Sequence, residues 1–280
     1  MRIAPISVII PCYCCSQELP RAVNSVLRQS LLPAEIILVD DASPDHGETR
    51  RCIEDILCQH SASASTVRIR ALFLINNQGP GGARNAAWDI ASERFIAFLD
   101  ADDSWASRKL EIQYEWMLGH PEFILSSHES LCIDDSEKTS VIGPTIHFEI
   151  SRIALVFINY IPTRSVMIVN RPEYRFPPTM RYAEDYYLWL NMAVRGIRMA
   201  KIKAPLAFSY KREYGEDGLS GNLHAMHEGV LKVFCDLRRS GLIGPFLYSA
   251  GYVFECIKYA RRILYSRFIK SGKLTSRAQL

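Results

Sequence analysis

Short apolar runs alternate with helix-like segments along the first hundred residues of the chain. Each run is rich in Val, Ile, Leu and Phe and ends in turn residues, which is typical of strands buried inside a sheet. Between the runs, apolar side chains recur at helical spacing, as at Leu19, Val23 and Val26. This repeated order of strand and helix predicts a mainly parallel, three-layer α/β/α sheet. The predicted strands cover residues 6–10, 35–39, 68–75 and 95–99, and the predicted helices cover residues 19–27, 52–57 and 83–92.

The hydrophobic pattern becomes less regular after residue 108. An amphipathic helix that includes Leu110 follows, and glycines cluster over residues 215–221 before a tail with a helical pattern. We therefore expect a folded domain over residues 1–215 and a helical, basic extension over residues 216–280. The remaining predicted elements are strands over residues 164–169, 197–203 and 206–210 and a helix over residues 186–194.

The charge of the chain is concentrated in its tail. With 48% hydrophobic and 22% charged residues the protein is globular, and its net charge of +3 is too small to indicate nucleic acid as a partner. Residues 256–280 contain seven basic residues and no acid, whereas the rest has 26 bases against 30 acids and a net charge of −4. Residues 241–254 carry no charge, but 14 residues are too few to span a bilayer, which takes about 20.

This arrangement of the tail leaves two interpretations open. An apolar helix face followed by a basic one is typical of a helix lying on an anionic membrane surface. The alternative is a helix packed on the core whose charged end is solvated. We expect peripheral membrane contact through the tail, and we keep the second interpretation beside it.

The eight cysteines do not show the paired spacing of a zinc ribbon. Residues 6–10 are too short for the apolar core of a secretory signal and end at Pro11. We therefore expect reduced thiols in a cytoplasmic protein. For Cys12, Cys14 and Cys15, packing is the simpler interpretation, and a metal-binding role is the alternative.

The fourth predicted strand ends in three closely spaced acids, Asp100, Asp102 and Asp103. The carboxyl ends of parallel strands are where open α/β sheets bind ligands. Adjacent carboxylates repel each other, and a divalent cation such as Mg²⁺ removes that repulsion while keeping water and substrate phosphates as its other ligands. The acids therefore indicate a metal site, and a cap on the following helix is the alternative.

The ends of the other three strands carry residues that suit a nucleoside diphosphate. Pro11 and Tyr13 follow the first strand, Asp41 the second, and Arg84 the third. Tyr13 can stack on a base, Asp41 can accept from a base N–H or from ribose hydroxyls, and Arg84 can bind phosphate oxygens in a bidentate way. The glycines at 79–82 lack the Lys-Ser/Thr ending of a Walker loop. The alternatives are core packing for Tyr13 and a surface ion pair for Arg84.

Taken together and in order, these motifs resemble the family 2 glycosyltransferases of GT-A fold, including those of bacterial surface polysaccharides. The resemblance covers roughly residues 5–215 and includes a Glu-Asp pair at the start of a predicted helix. It implies a Rossmann-like GT-A domain with a nucleotide-sugar half over about residues 1–105 and an acceptor half over about residues 106–215. The motifs are SVIIPCY at 7–13, ILVDDAS at 37–43, GARN at 82–85, FLDADD at 98–103 and EDYYLW at 184–189.

The resemblance also implies roles for individual residues. Asp100 and Asp102 match the Asp-x-Asp motif that binds Mn²⁺ or Mg²⁺ and the donor diphosphate, with Asp102 as the main ligand. Asp185 matches the catalytic base, although an acid in the first turn of a helix also stabilises that helix by itself. Cys14 departs from the family, which commonly has Asn there. The nucleotide-binding positions are Pro11, Tyr13, Asp41, Arg84, Asp100 and Asp102, and Lys211, Arg212 and Ser220 only loosely echo a later basic and Ser-containing stretch.

The implied activity is transfer of a sugar with inversion, from a nucleoside diphosphate sugar to an acceptor hydroxyl. A UDP-sugar donor and a lipid-linked glycan acceptor at the inner face of the cell membrane are expected. The sugar itself depends on the segment 124–160 and stays open. A nucleotidyltransferase that makes nucleotide sugars is the first alternative, but residues 12–15 are not a glycine-rich basic loop. A non-catalytic, membrane-associated scaffold of the same fold is the second.

Overall fold

The structure is a computed structural model that describes residues 2–61, 66–132, 146–210 and 221–270, with side chains as far as residue 265. The predictions for Lys211, Arg212 and Ser220, and for the glycine cluster up to residue 220, lie outside the described residues.

The first half of the chain forms the predicted parallel sheet. Strands pair in the order β3-β2-β1-β4, and every neighbour is parallel. Ile9 at the centre of β1 lies opposite Ile37 of β2 and Phe98 of β4. The elements are β1 (Arg2–Cys12), α1 (Leu19–Leu27), β2 (Leu31–Asp40), α2 (Glu48–Ser61), β3 (Arg68–Phe73), α3 (Gly79–Ile90) and β4 (Phe95–Phe98).

The second half extends the same sheet with mixed strand directions. The order continues from β4 as β8-β6-β9-β5, with β7 paired to β9. Among the described residues of this half, only the β6–β9 pair is parallel, so the predicted parallel pattern holds for the first half. The elements are β5 (Asp103–Trp105), α4 (Lys109–Gly119), β6 (Leu125–Cys132), β7 (His147–Glu149), α5 (Arg152–Phe157), β8 (Met167–Val169), α6 (Glu184–Val194) and β9 (Met199–Ser209).

Three local predictions for this half were wrong. The predicted strand over residues 164–169 begins as a 3₁₀ turn, Thr163–Ser165, and only Met167–Val169 is a strand. The two short strands predicted over 197–203 and 206–210 are one strand, Met199–Ser209. Asp103 does not cap a helix, because it begins a strand that pairs with β9.

Apolar layers cover both faces of the sheet, as the three-layer prediction requires. Alternate residues of one strand point to opposite faces, so Ile9 lies in one layer and Ile10 in the other. The layer that contains Ile9 includes side chains from α3, α5 and α6, and the layer that contains Ile10 includes side chains from α1, α2 and α4.

Two further helices, α7 (Leu223–Arg239) and α8 (Pro245–Lys270), confirm the helical tail. Phe234 and Leu237 of α7 are buried in the same layer as α6. A Cβ atom on Gly229 would lie 2.7 Å from the carbonyl oxygen of Tyr182, so only glycine allows α7 to approach the segment before α6 so closely. Helix α7 therefore supports the Asp185 region directly.

Helix α8 has a buried side and an exposed apolar side. Gly251 and Glu255 are buried against the rest of the protein. No helix in the described part of the chain is long and apolar enough to cross a membrane. The exposed apolar side chains of α8 are Phe246, Val253, Ile257, Leu264 and Tyr265.

Candidate active site

The loops after β1 and β2 are joined at the edge of the sheet. The Asp41 N–H donates to the carbonyl oxygen of Cys12 at 2.9 Å. Cys14 adopts a left-handed backbone conformation, with φ of 48°, and its N–H donates to Ser43 Oγ at 3.0 Å. This turn leaves Tyr13 exposed beside the buried Asp41, with 48% of its surface accessible. Core packing of Tyr13, the alternative interpretation, is therefore wrong.

Asp41 connects the end of β2 to the start of α3. Its Oδ1 accepts from the Gln78 N–H at 2.7 Å, and Asn77 Nδ2 donates to the Asp41 carbonyl oxygen at 3.0 Å. Burial raises the pKa of the Asp41 carboxyl, while the backbone N–H groups of Gln78 and Gly79 oppose that rise. The carboxylate is thus held in a fixed orientation at the rim where Tyr13 is exposed.

Arg84 lies on α3 and is almost completely buried between two carboxylates. Its Nη2 lies 2.7 Å from Asp100 Oδ1, and its Nη1 lies 3.1 Å from Glu184 Oε1. Burial works against the positive charge, but Asp100 and Glu184 outweigh it and raise the pKa of the guanidinium. The ion pair of Arg84 is therefore internal, not the surface pair that was its alternative. A contact with donor phosphate stays a prediction.

Gly81 explains how Glu184 comes so close to α3. A Cβ atom on Gly81 would lie 2.8 Å from Glu184 Cγ and 3.2 Å from Phe176 Cβ, and side chains do not approach each other so closely. The absence of a side chain at this position is what allows Glu184 to reach Arg84.

Asp185 follows Glu184 in the first turn of α6. The helix begins after Ala183, whose backbone is left-handed with φ of 57°. Asp185 Oδ2 accepts from Thr163 Oγ1 at 3.1 Å, and Oδ1 accepts from the Tyr186 N–H at 2.6 Å. Burial raises the pKa of the Asp185 carboxyl although Arg84 opposes the rise. A carboxyl with a raised pKa is a stronger base when it is ionised.

The three acids after β4 have different surroundings. Asp100 and Asp102 are half-buried, whereas Asp103 is buried and its Oδ2 lies 3.4 Å from Arg164 Nη1. Burial raises the pKa of Asp103 to about 7. Arg21 Nη2 donates to the carbonyl oxygen of Asp102 at 2.8 Å, which fixes the backbone at that position.

The donor set at this edge fits a hard cation that takes few protein ligands. Across residues 2–61, 66–132, 146–210 and 221–270, no three His, Cys, Asp or Glu residues form a complete metal-binding group. Mg²⁺ needs only one or two protein carboxylates, because water and substrate phosphates complete its octahedron. Asp102 with Asp100 meets that requirement. Cys12 and Cys15 are buried in the core, as packing predicts, but Cys14 is exposed, so the packing interpretation is wrong for Cys14.

Two residues near the site were missed by sequence reasoning. Thr163 lies in an unremarkable stretch, and nothing local indicates that its hydroxyl reaches Asp185. Arg181 is exposed, donates to Asn77 Oδ1 at 3.0 Å and acts on the charge of Asp41. Both contacts join segments far apart in the sequence, so only the fold reveals them.

A family profile described as "Glycosyl transferase family 2" matches residues 7–157, and the chain belongs to that family. The resemblance inferred from the motifs is thereby confirmed. The fold is GT-A, as predicted.

Among curated relatives, two Escherichia coli enzymes each match about two thirds of this chain. The chain is 30% identical over 190 residues to the UDP-Glc:alpha-D-GlcNAc-diphosphoundecaprenol beta-1,3-glucosyltransferase WfgD, covering 67% of this chain and 69% of WfgD. It is 33% identical over 201 residues to the enzyme of the same description named WfaP, covering 69% of this chain and 72% of WfaP.

Solved structures show the same fold at low sequence identity. S. aureus TarS 1-349 in complex with UDP-GlcNAc superposes with a TM-score of 0.61 at 17% identity, covering 85% of this chain and 66% of that chain. The mannosyltransferase PcManGT from Pyrobaculum calidifontis, in complex with GDP-Man and Mn²⁺, superposes with a TM-score of 0.60 at 16% identity, covering 97% of this chain and 80% of PcManGT.

Proposed function

We propose that the protein is an inverting, metal-dependent glycosyltransferase that moves a sugar from a UDP-sugar to a hydroxyl of a lipid-linked glycan. The observation that carries this proposal is the contact of Arg84 with both Asp100 and Glu184. Through Arg84, the acids proposed to hold the donor diphosphate are tied to the helix start that bears the proposed base, Asp185.

The donor would bind at the ends of β1, β2 and β4. Tyr13 presents its ring to a base, and Asp41 presents an oriented carboxylate to a base N–H or ribose hydroxyls. Pro11 lies near the end of β1, opposite Val39 of β2. The UDP specificity is inferred from relatives, since WfgD is described as using UDP-Glc and TarS was solved with UDP-GlcNAc.

Asp102, with Asp100, would hold Mn²⁺ or Mg²⁺. When bound, such an ion neutralises charge that builds on the leaving diphosphate, an effect of several kcal/mol. Arg84 holds Asp100 in place at 2.7 Å. Asp102 is the main protein ligand that the Asp-x-Asp resemblance implies. PcManGT was solved with Mn²⁺, which supports the cofactor class.

Asp185 would act as the general base. As the acceptor oxygen forms its bond to C1 of the sugar, the bond from C1 to the diphosphate oxygen breaks and UDP leaves from the opposite face. The hydroxyl proton passes to Asp185, which contributes typically 10²–10⁴-fold. Thr163 Oγ1 donates to Asp185 Oδ2 at 3.1 Å and the Tyr186 N–H donates to Oδ1 at 2.6 Å, so the carboxylate is held in a fixed orientation. A single carboxylate is enough for inversion.

The acceptor and the location of the protein follow from the relatives and from α8. WfgD and WfaP are described as acting on a diphosphoundecaprenol-linked sugar, so a lipid-linked acceptor of surface polysaccharide synthesis is the class we propose. The exposed apolar residues Phe246, Val253 and Ile257 recur on one side of α8, and basic residues follow in the sequence. Such a surface suits contact with the anionic inner face of the cell membrane.

A screen of nucleotide sugars tests this proposal. Purified protein with Mn²⁺ should release UDP from one UDP-sugar, and the glycoside formed should have the opposite anomeric configuration. Asp102→Ala should abolish metal-dependent UDP binding, whereas Asp55→Ala, which removes an exposed acid on α2, should leave it intact. In a parallel assay with UTP and a sugar 1-phosphate, release of pyrophosphate would indicate the nucleotidyltransferase alternative. No turnover in either assay would indicate the scaffold.

A further inference from the structure

A cavity of about 400 Å³ lies beside the segment that positions Asp185. Its walls include Glu129 of β6, Lys201 of β9, and Tyr160 and Arg164 of the segment that contains the 3₁₀ turn. Its volume lies within the range of small-molecule sites. The donor residues after β1, β2 and β4 are not among its lining residues.

The cavity and the proposed donor site are linked through Asp185. Thr163, which donates to Asp185, stands between two cavity-lining residues, Pro162 and Arg164. On the other side, Glu184 contacts Arg84, which contacts Asp100. Asp185 is therefore connected to the cavity wall through Thr163 and interacts electrostatically with Arg84, which binds the donor acid Asp100. A base connected to both regions suits an acceptor bound in the cavity.

Lys201 is the cavity cation whose charge is least compensated. Its Nζ donates to the neutral carbonyl oxygen of Tyr160 at 2.8 Å, and in the described part of the chain it forms no ion pair with a carboxylate. Burial lowers its pKa, and the charge of Glu129 opposes that change only in part. An ammonium in this condition gains from an anionic partner, because a charge removed from water needs compensation.

Arg164 adds a second cation to the cavity lining. Its Nη1 lies 3.4 Å from Asp103, and its Nε is buried with no hydrogen-bond partner among the described residues. Glu129 lines the cavity from β6, the strand paired with β9, and supplies an oxygen acceptor for hydroxyl groups. The lining thus combines two cations with an acceptor, as a sugar that carries an acidic group requires.

We propose that this cavity is an acceptor subsite that binds an anionic oxygen group, a phosphate or a carboxylate, of the sugar acceptor through Lys201. This inference rests on the proposed function and names the substrate class for its acceptor side. In this arrangement the Lys201 ammonium donates hydrogen bonds to the anion. Glu129 accepts hydrogen bonds from sugar hydroxyls, and the reacting hydroxyl faces Asp185.

The test is a calorimetric titration of the full chain saturated with UDP, so that the donor site is filled. The probes are glucose 1-phosphate, glucuronate and methyl glucoside, which share a sugar ring and differ in charge. At least one charged probe should bind about tenfold more tightly than methyl glucoside. The charged probe that binds more tightly shows whether the anionic group is a phosphate, as in glucose 1-phosphate, or a carboxylate, as in glucuronate.

Three variants make the titration specific to the cavity. Lys201→Gln should remove the preference for charged probes, and Lys201→Arg should retain it because the charge remains. Lys203→Gln removes an exposed lysine from the same strand, outside the cavity lining, and should change nothing. Thermal melts of each variant show whether it is folded.

Equal binding of all three probes to the wild-type protein, or no binding, would overturn the proposal. If Lys201→Gln and Lys203→Gln lost the preference for charged probes to the same extent, the proposal would also be overturned. The proposed function is tested separately by UDP release. A chain that binds charged sugars through Lys201 but releases no UDP would contradict the function and leave the subsite standing.

Discussion

Arg84 and Glu184 are separated by 100 positions in the sequence, yet their side chains form a buried ion pair with Nη1 and Oε1 3.1 Å apart. The same guanidinium binds Asp100 at 2.7 Å. One buried cation thus joins the acidic end of β4 to the start of α6. The proposed donor and base regions depend on it for their relative position.

Removing the guanidinium should destabilise the protein. Arg84→Ala leaves two carboxylates without their cation, and breaking a buried pair typically costs about 3–5 kcal/mol. Arg84→Lys keeps the positive charge, but lysine lacks the two separate Nη groups that contact Asp100 and Glu184. This variant should therefore unfold at a urea concentration between those of Arg84→Ala and the wild type. Urea unfolding of the three proteins measures the effect. Unfolding midpoints equal to that of the wild type would show that Arg84 does not hold these segments together.

Gly81→Ala should reduce activity through Glu184. The new Cβ would lie 2.8 Å from Glu184 Cγ, so Glu184 must move away from Arg84. In most helix positions alanine is more stable than glycine by about 0.5–1 kcal/mol, so a loss of stability here would be informative. Gly119→Ala is the matched control, because nothing lies within 4 Å of its Cβ. If both variants had the same melting temperature and the same transfer rate, the close contact at Gly81 would be unimportant.

Stability should depend on pH through Glu184. Burial, together with the charge of Asp185, raises the pKa of Glu184 from its ordinary value of 4.5 to about 7. Between these two values the folded protein holds a proton that the unfolded chain has released, so the free energy of unfolding falls as pH rises through this window. Below it, both states are protonated and the contribution is constant.

Glu184→Gln measures this contribution, because glutamine does not titrate. The free energy of unfolding of the variant minus that of the wild type should increase from about pH 4.5 to about pH 7. Urea unfolding at several pH values gives the difference. A difference that stays flat, or that falls with pH, would show that the pKa of Glu184 is not raised in the folded protein.

The exposed side of α8 should bind anionic vesicles. Ile257→Ser replaces an apolar side chain that is 61% exposed, so co-sedimentation with phosphatidylglycerol vesicles should fall. Leu118→Ser removes a similarly exposed apolar side chain from α4, in the other layer, and serves as the control. High salt should also weaken binding, because the basic tail contributes. Equal sedimentation of both variants would argue that α8 does not face a membrane.

Much of the first half of the fold was predictable from local patterns. Strands β1, β2 and β4 coincide with apolar runs that are continuous because both faces of each strand are buried, whereas β3 is an edge strand whose residues are at most partly buried. The acids at residues 100–103 and Asp41 were found because parallel strands end at one edge of the sheet. These signals need no knowledge of distant contacts.

The second half was less predictable because its strands depend on distant partners. Asp103–Trp105 is a strand only because β9 pairs with it, and the 3₁₀ turn at residue 163 precedes a strand of three residues. The burial of Arg84 between Asp100 and Glu184 was missed for the same reason, as was the contact of Thr163 with Asp185. Local sequence patterns do not encode such pairings.

The central claim is that Asp185 takes the acceptor proton while other residues hold the donor. Asp185→Asn keeps the size of the side chain. Its oxygen can still accept from the Tyr186 N–H, and its amide nitrogen can donate to the Thr163 hydroxyl, so the site should stay assembled. The decisive measurement compares UDP affinity and transfer rate for this variant and the wild type in the presence of Mn²⁺. We predict an unchanged UDP affinity and a transfer rate lower by about 10²–10⁴-fold. A transfer rate near that of the wild type would contradict the account.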